Sequence, residues 1–349
     1  MNFTLHAVEA LQDWFHMHSD TPAQMNTDLG RITLLSPKIA NEIRNDKRLS
    51  LSKWTAHGFH ANIPGFEVFR EGSSDSCIVQ SVITKHRTKR SSGVTVPLIE
   101  ETSLKHLHNF QQTIHLQEYI LGLVSRISSR VFLGPELCRN EKWLHVTREF
   151  TITIFSAIMQ LRRWPWPTCP VVNMIGPSCR RVRELIKEAR RVIQPIINSR
   201  RKLRESESQA TGFFDDANEW LENEANGRAY DLAISQMTLA MAAIHTTTDL
   251  ASVLSAHGWQ RTSLYKMKLL DCIIKKRNPL KSISSAPKHH LAQLVTASFR
   301  HLGFGYRQHA CPGRFFAANE TKVIFVELLL NLDLELPHGA TPRSVKLSL

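Results

Sequence analysis

From Asp231 to Ala256 the chain runs about seven helical turns with Leu232, Leu239, Ile244, Leu250 and Leu254 set among alanines, and no glycine or proline interrupts it before Gly258. A helix with one apolar stripe lies on a surface, whereas one that is apolar on most faces has to be surrounded. The segment therefore predicts a central helix. A chain of 349 residues, 42% of them hydrophobic, is long enough to surround it, as one large domain or two smaller ones.

The neighbouring segments supply helices to do so. Asp20 to Leu35 reads as a turn and then a strand, and Ser36-Pro37 opens a short helix to Asn45, with Ser36 as N-cap and Pro37 at the first position. From Ser103 to Phe132 apolar residues recur at helical spacing, until Gly134-Pro135 stops them. A second helix spans Asn140 to Arg162, and Trp164-Pro165-Trp166-Pro167 breaks it. A third runs from about Ser178 to Arg204, charged on one side, with Pro195 placed to kink or divide it. Glu205 to Ala210 reads as a loop, Arg314 to Leu330 as a helix and Leu332 to Leu336 as a strand. The expected class is mainly α with a small β region, without internal repeats.

Lys plus Arg exceed Asp plus Glu by 44 to 31, for a net charge of +13. That balance permits nucleic acid, an acidic membrane surface or an acidic protein partner. The basic runs, such as Arg200-Arg201-Lys202-Leu203-Arg204, lack interleaved aromatics, so solvated faces are the simpler reading and no nucleic acid is expected. The six cysteines are scattered, with no Cys-x-x-Cys, which points to a reducing compartment. No histidine pair has helix-spaced zinc-motif geometry. The amino terminus shows no bilayer-length apolar run, since Asp13, His16, His18 and Asp20 interrupt it.

The chemistry concentrates between Phe304 and Gly313, where the chain reads Phe-Gly-Tyr-Arg-Gln-His-Ala-Cys-Pro-Gly. Cys311 sits at the mouth of a helix, behind a glycine-bearing loop and two residues after His309. A loop presents a thiolate to haem iron in this way, and the amide dipoles of the following helix favour that thiolate. Pro312 suits a first helical position, and Gly313 lets the backbone pass close to a flat macrocycle. Together with Arg314 to Glu320, the stretch resembles the haem-binding signature of the cytochrome P-450 superfamily, in the form used by its fungal secondary-metabolism branch. That resemblance implies Cys311 as the axial ligand of a haem b iron, His309 on a propionate, and Phe304 packed against the ring near the sulfur.

Ala242 to Asp249 reads Ala-Ala-Ile-His-Thr-Thr-Thr-Asp, which resembles the small–Gly–x–acid–Thr–Thr stretch on the family's oxygen-side helix. The resemblance implies Thr246 as a proton-relaying hydroxyl and His245 in place of the acid; imidazole titrates near neutrality. It also implies a substrate pocket along Leu239 to Ala243. The alternative is a helix whose threonines bond back to their own carbonyls. Arg130 to Asn140 looks like the same fungal branch, with Cys138 a small buried residue rather than a ligand.

Three positions depart from the family. Arg307 replaces a glycine, which costs about 1–2 kcal/mol if the position needs positive φ. Lys276 and Pro279 replace the glutamate and arginine of the Glu-x-x-Arg pair; the proline alone costs about 3 kcal/mol in a helix, and an unpaired buried charge about 3–5 kcal/mol. The chain also lacks room for the family's later strands and meander, which places internal deletions near 255–262 and 282–300 of a single 1–349 haem-thiolate domain, with the N-terminal anchor absent.

The resemblance therefore implies an incomplete P-450-like fold. It implies a monooxygenase that inserts one oxygen atom from O2 into an apolar, terpenoid-like metabolite, with electrons from NADPH through a separate reductase. Its location would be the endoplasmic reticulum membrane surface, or the cytosol if the anchorless chain is complete. Two rivals stand beside it: an inactive pseudoenzyme of the same ancestry, and a basic helical module for nucleic acid or anionic lipid.

Overall fold

A computed structural model describes residues 11, 13–18, 21–72, 78–89, 97, 98, 100, 101, 115–206, 214–257, 304, 305 and 310–331. Its one sheet among them is a hairpin, β1 (Ala23–Thr27) against β2 (Gly30–Leu34), antiparallel, with Ala23 opposite Leu34. Where the sequence suggested a turn and one strand, a two-residue turn at Asp28-Leu29 folds the segment on itself. Gly30 makes this possible at φ +93°, and the Thr27 hydroxyl donates to the Gly30 carbonyl at 3.0 Å. The alternation was hard to read because β1 is Ala-Gln-Met-Asn-Thr, with little apolar contrast.

Local signals set most helix ends. Ser36 caps α1 (Pro37–Ile43), accepting from the Ile39 amide, and Ser50 caps α2 (Leu51–Gly58). A short helix, α3 (Glu67–Glu71), follows. Next come α4 (Ile78–Lys89) and α5 (Leu116–Leu133). The latter starts later than the sequence pattern suggested, and Leu107, Phe110 and Ile114 lie outside the described residues. It stops at Gly134, which takes φ +77°. Asn140 then caps α6 (Glu141–Arg162), its side-chain oxygen accepting from the Trp143 amide at 3.1 Å.

Beyond the Trp-Pro break lie a 3-10 turn (Trp166–Thr168), α7 (Cys169–Ile175) and α8 (Pro177–Ser206), which runs through Pro195 undivided. Asp216 caps α9 (Ala217–Ala225), accepting from the amides of Asn218 and Glu219. The central helix α10 (Leu232–His257) and α11 (Arg314–Asn331) complete the order. The strand expected at 332–336, the loop at 207–210 and the proposed deletion site at 282–300 lie outside the described residues.

As expected, α10 is the hub. It packs against α5 most extensively, and also meets α3, α6, α8, α9 and α11. The core has three parts, between α6 and α8, among α5, α10 and α11, and between α4 and α9, and Phe132 touches all three. One buried ion pair ties the layers together. Arg200 on α8, 6% exposed, donates to Asp216 Oδ2 at 2.7 Å, to Glu136 at 2.9 Å and to the Leu133 carbonyl at 3.4 Å. It thus fixes the end of α5, the start of α9 and the tail of α8 at one point. Among the described residues no helix is long and apolar enough to cross a membrane.

Candidate functional site

The Cys311 loop is closed by backbone. The Cys311 amide donates to the Phe304 carbonyl at 2.7 Å, and Gly305 turns the chain at φ +71°. The Cys311 carbonyl in turn accepts from the Arg314 guanidinium at 2.9 Å. Phe304, expected to pack its ring near the sulfur, contributes its carbonyl to the closure. His309 lies outside the described residues, as do Arg307, Lys276 and Pro279.

Of the cysteines at 138, 169, 179 and 311, only Cys311 is exposed. The others turn their thiols to protein oxygens, Cys138 to the Pro135 carbonyl and Cys169 to the Leu161 carbonyl. Burial pushes the Cys138 thiol up to about 11, as befits an inert core residue. Protein behind the Cys311 sulfur also pushes its pKa up, while the amides of Gly313 and Arg314 and the charge of Arg314 pull it down. The upward effect wins, so the helix-end amides alone do not make the thiolate the sequence suggested. A metal ion bound there would draw off this proton.

Gly313 is not forced by its immediate surroundings, since an added Cβ would meet only Cys311 Sγ, at an ordinary 3.9 Å.

On α10, Ala242 and Thr246 are exposed while Ala243, Ile244, Thr247 and Thr248 are buried. Residues four apart share a helical face, so a narrow open stripe of small side chains runs along the most enclosed helix. The Thr246 hydroxyl donates back to the Ala242 carbonyl at 2.5 Å, the bond of the alternative reading, yet it still faces open space. His245 does not join it on the stripe. Its ring is half-buried and lies against Phe155 of α6, centroids 4.8 Å apart. Of the stretch expected to line a pocket, Leu239, Ala240 and Ala243 are spent in the core, leaving Ala242 and the half-buried Met241.

One residue the sequence reading did not single out lies behind this stripe. Glu320, on α11, is 0% exposed, and its Oε1 accepts from the Ser128 hydroxyl of α5 at 2.5 Å. Burial pushes its carboxyl up to about 8, against the opposing pull of the Ser128 and Thr247 hydroxyls. The signal was present: Phe316, Val323 and Ile324 place apolar neighbours three and four residues away, which puts this carboxyl on the inward face of α11.

Among the described residues no group of three or more His, Cys, Asp or Glu side chains could hold a bare metal ion. The cytochrome P450 family model matches residues 286–348. Cytochrome P450 monooxygenase TRI1 of Fusarium sporotrichioides is 35% identical over 96% of this chain and 77% of its own length. The chain belongs to the cytochrome P450 family.

Other fungal monooxygenases agree with this assignment, among them cytochrome P450 monooxygenase esdpI of Penicillium shearii, 33% identical over 92% of this P450 and 79% of that protein. The haem domain of cytochrome P450DA superposes with a TM-score of 0.64 over 96% of this chain and 88% of that one, at 12% identity, which establishes the mainly helical haem-domain fold. The family is that of haem-dependent oxidoreductases. The soft sulfur donor, its open side and the glycine beside it fit haem, with Cys311 as the residue that would hold the iron.

Proposed function

We propose that this P450 is a haem-thiolate monooxygenase that inserts one oxygen atom from O2 into an apolar, terpenoid-like secondary metabolite. The observation that carries the reading is the exposed Cys311 sulfur, set by an amide-closed loop at the head of a helix that packs on α10. Haem b bound through that sulfur supplies O–O bond cleavage, because the thiolate pushes electron density onto iron.

The chain's own residues hold and shield. Cys311 binds the iron, His309 takes a propionate, and Gly313 and Phe304 flank the ring. The Ala242–Thr246 stripe leaves room for a small ligand, and the Thr246 oxygen faces it as a hydrogen-bond acceptor. The Ala242 carbonyl fixes that hydroxyl as donor, leaving its lone pairs to accept. His245 reaches the stripe only by leaving Phe155, so its role is the weaker part of the pair. Electrons come from NADPH through a separate reductase, for which the net charge of +13 offers an acidic partner a docking surface. The endoplasmic reticulum membrane surface is the site of work, and segments near 255–262 and 282–300 are shortened.

Lys276 and Pro279 favour a second reading, an inactive relative that has lost the Glu-x-x-Arg pair. One experiment separates them. The full chain is expressed with haem supply, reduced and exposed to carbon monoxide. A red-shifted thiolate-type Soret band supports the haem-thiolate reading. A folded chain that stays colourless, or shows a histidine-type band, overturns it in favour of the second.

A further inference from the structure

The end of α2 holds a residue in a conformation its type rarely takes. The Ala61 amide donates to the Ala56 carbonyl at 2.9 Å and the His60 amide to the His57 carbonyl at 3.3 Å. Those two bonds close a helix in the motif that usually sets glycine at the left-handed position. Here that position is His60, at φ +53°. A Cβ there is strained, and such strain persists only where the surroundings over-determine it. The imidazole gains no hydrogen bond at Nδ1 in return: that atom is buried and has no partner among the described residues.

Beside it lies a clasp. Arg162, the last residue of α6, has a side chain only 11% exposed. Its Nη2 donates to the Gly58 carbonyl at 3.0 Å and its Nη1 to Asp28 Oδ2 at 3.2 Å, and its guanidinium lies 5.5 Å from the centre of the Phe59 ring. One cation therefore joins the β1–β2 turn, the end of α2 and the end of α6. Leu29 of the same turn rests over Gly58, its Cδ2 3.5 Å from where a Cβ would stand. The clasp is also the outer end of an aromatic row. Phe59 meets Phe155 edge-on with centroids 6.5 Å apart, and Phe155 meets His245 at 4.8 Å. The charged and titratable groups around His60 are Arg162 from α6, His57 from its own helix and, across Arg162, Asp28 from the turn. The one acid among them, Asp28, is exposed and already bonded to Arg162. A proton on His60 would set a second cation beside Arg162 and make the buried Nδ1 a donor with no acceptor.

We propose that His60 makes this clasp acid-sensitive: protonated, it repels Arg162 and parts the end of α6 from the end of α2 and the β1–β2 turn, loosening the aromatic row that seats His245. Neutral, it fills the corner and leaves Arg162 to the Gly58 carbonyl and Asp28. Burial first, then the charges of Arg162 and His57, push the His60 pKa below its ordinary 6.5, the direction such a switch needs. A histidine depressed in the closed form and ordinary in the open form favours closure above 6.5. As pH falls below that value the open form gains, by up to about tenfold per pH unit, until the closed-form pKa is passed. The switch needs no haem, so it stands apart from the haem-thiolate reading.

Hydrogen exchange of the full chain, corrected for the chemical exchange rate and followed from about pH 7.5 down to about pH 5.5, tests it. Peptides covering Asp28 and the end of α2 lose protection in wild type as pH falls through 6.5, by up to about tenfold per unit, while the packed middle of α6 and α8 keeps its own. His60→Asn tolerates the left-handed backbone and has no proton to gain, so its protection stays flat across the range. Arg162→Met shows the opened level already at the upper pH. Flat protection in wild type, or a parallel fall in His60→Asn, means the imidazole is not the trigger and overturns the proposal. Arg162→Met protection equal to wild type at the upper pH means the clasp holds nothing and overturns it too; if that variant does not fold, the His60→Asn comparison decides alone. Proton NMR at the lower pH reads the inner end of the row. The His245 ring signals, located with His245→Gln, differ between wild type and His60→Asn, and coincident signals refute the link to His245. All of these readings are made on the haem-free chain, so a chain that takes up no haem sinks the haem-thiolate reading and leaves this test intact.

Discussion

Replacing Arg200 with Met tests the junction that fixes α5, α8 and α9 around the central helix. The guanidinium is 6% and the Asp216 carboxyl 3% exposed, with Nη1 and Oδ2 2.7 Å apart. Burial pushes the Asp216 carboxyl up, and Arg200 and the capping amides oppose it. Methionine fills the stem volume but leaves that carboxyl without its cation. Breaking a buried pair from one side costs about 3–5 kcal/mol. With an unfolding entropy of about 2.1 cal/mol/K per residue, 349 residues convert this to a fall of about 4–7 °C in Tm. In calorimetry of the full chain the loss is larger at neutral than at acid pH. Asp216 is already raised above its ordinary 3.8, and losing Arg200 raises it further, so lowering the pH neutralises the stranded charge and restores part of the stability. In the Asp216→Asn background, which keeps a capping oxygen, the same Arg200→Met change costs about 1–3 kcal/mol less. Equal losses in the two backgrounds, within about 0.5 kcal/mol, refute the buried-charge reasoning.

Glu320 gives a linkage of its own. Its folded-state pKa of about 8 lies above the ordinary 4.5, so the stability it contributes is full below 4.5 and is lost as pH rises toward 8, with a slope approaching about 1.4 kcal/mol per pH unit. Urea titrations across that window should show the slope in wild type and its absence in Glu320→Gln. Cys311→Ala leaves the unfolding free energy of the haem-free chain within about 0.5 kcal/mol of wild type, because the side chain is exposed, while abolishing the thiolate-type CO band. Gly134→Ala destabilises by at least about 1–2 kcal/mol, since its φ is +77° and the new Cβ would stand 2.8 Å from Asp216 Oδ2; thermal melts measure it.

Helix ends were legible because their causes act within three or four residues. Ser36 and Asn140 accept from amides three positions on, and Gly134 ends α5 by its own backbone freedom. The central position of α10 followed from composition alone, since a helix apolar on most faces has nowhere else to go. Cys311 was legible from the residues beside it, and its amide-closed loop is local too.

What a partner element supplies could not be read this way. Along α10, Ala242, His245, Thr246 and Thr247 look alike as candidates, and only the arrival of α5, α6 and α11 decides which are enclosed. Phe155 claims His245, the core takes Ala243 and Ile244, and Ala242 with Thr246 is left open. Glu320 shows the same limit in its chemistry. The sequence places a carboxyl on an inward helical face, but whether it is a charge or an acid depends on which donors come within reach. Burial and electrostatics sum over neighbours distant in the chain, whereas caps and turns are settled by the residues next door.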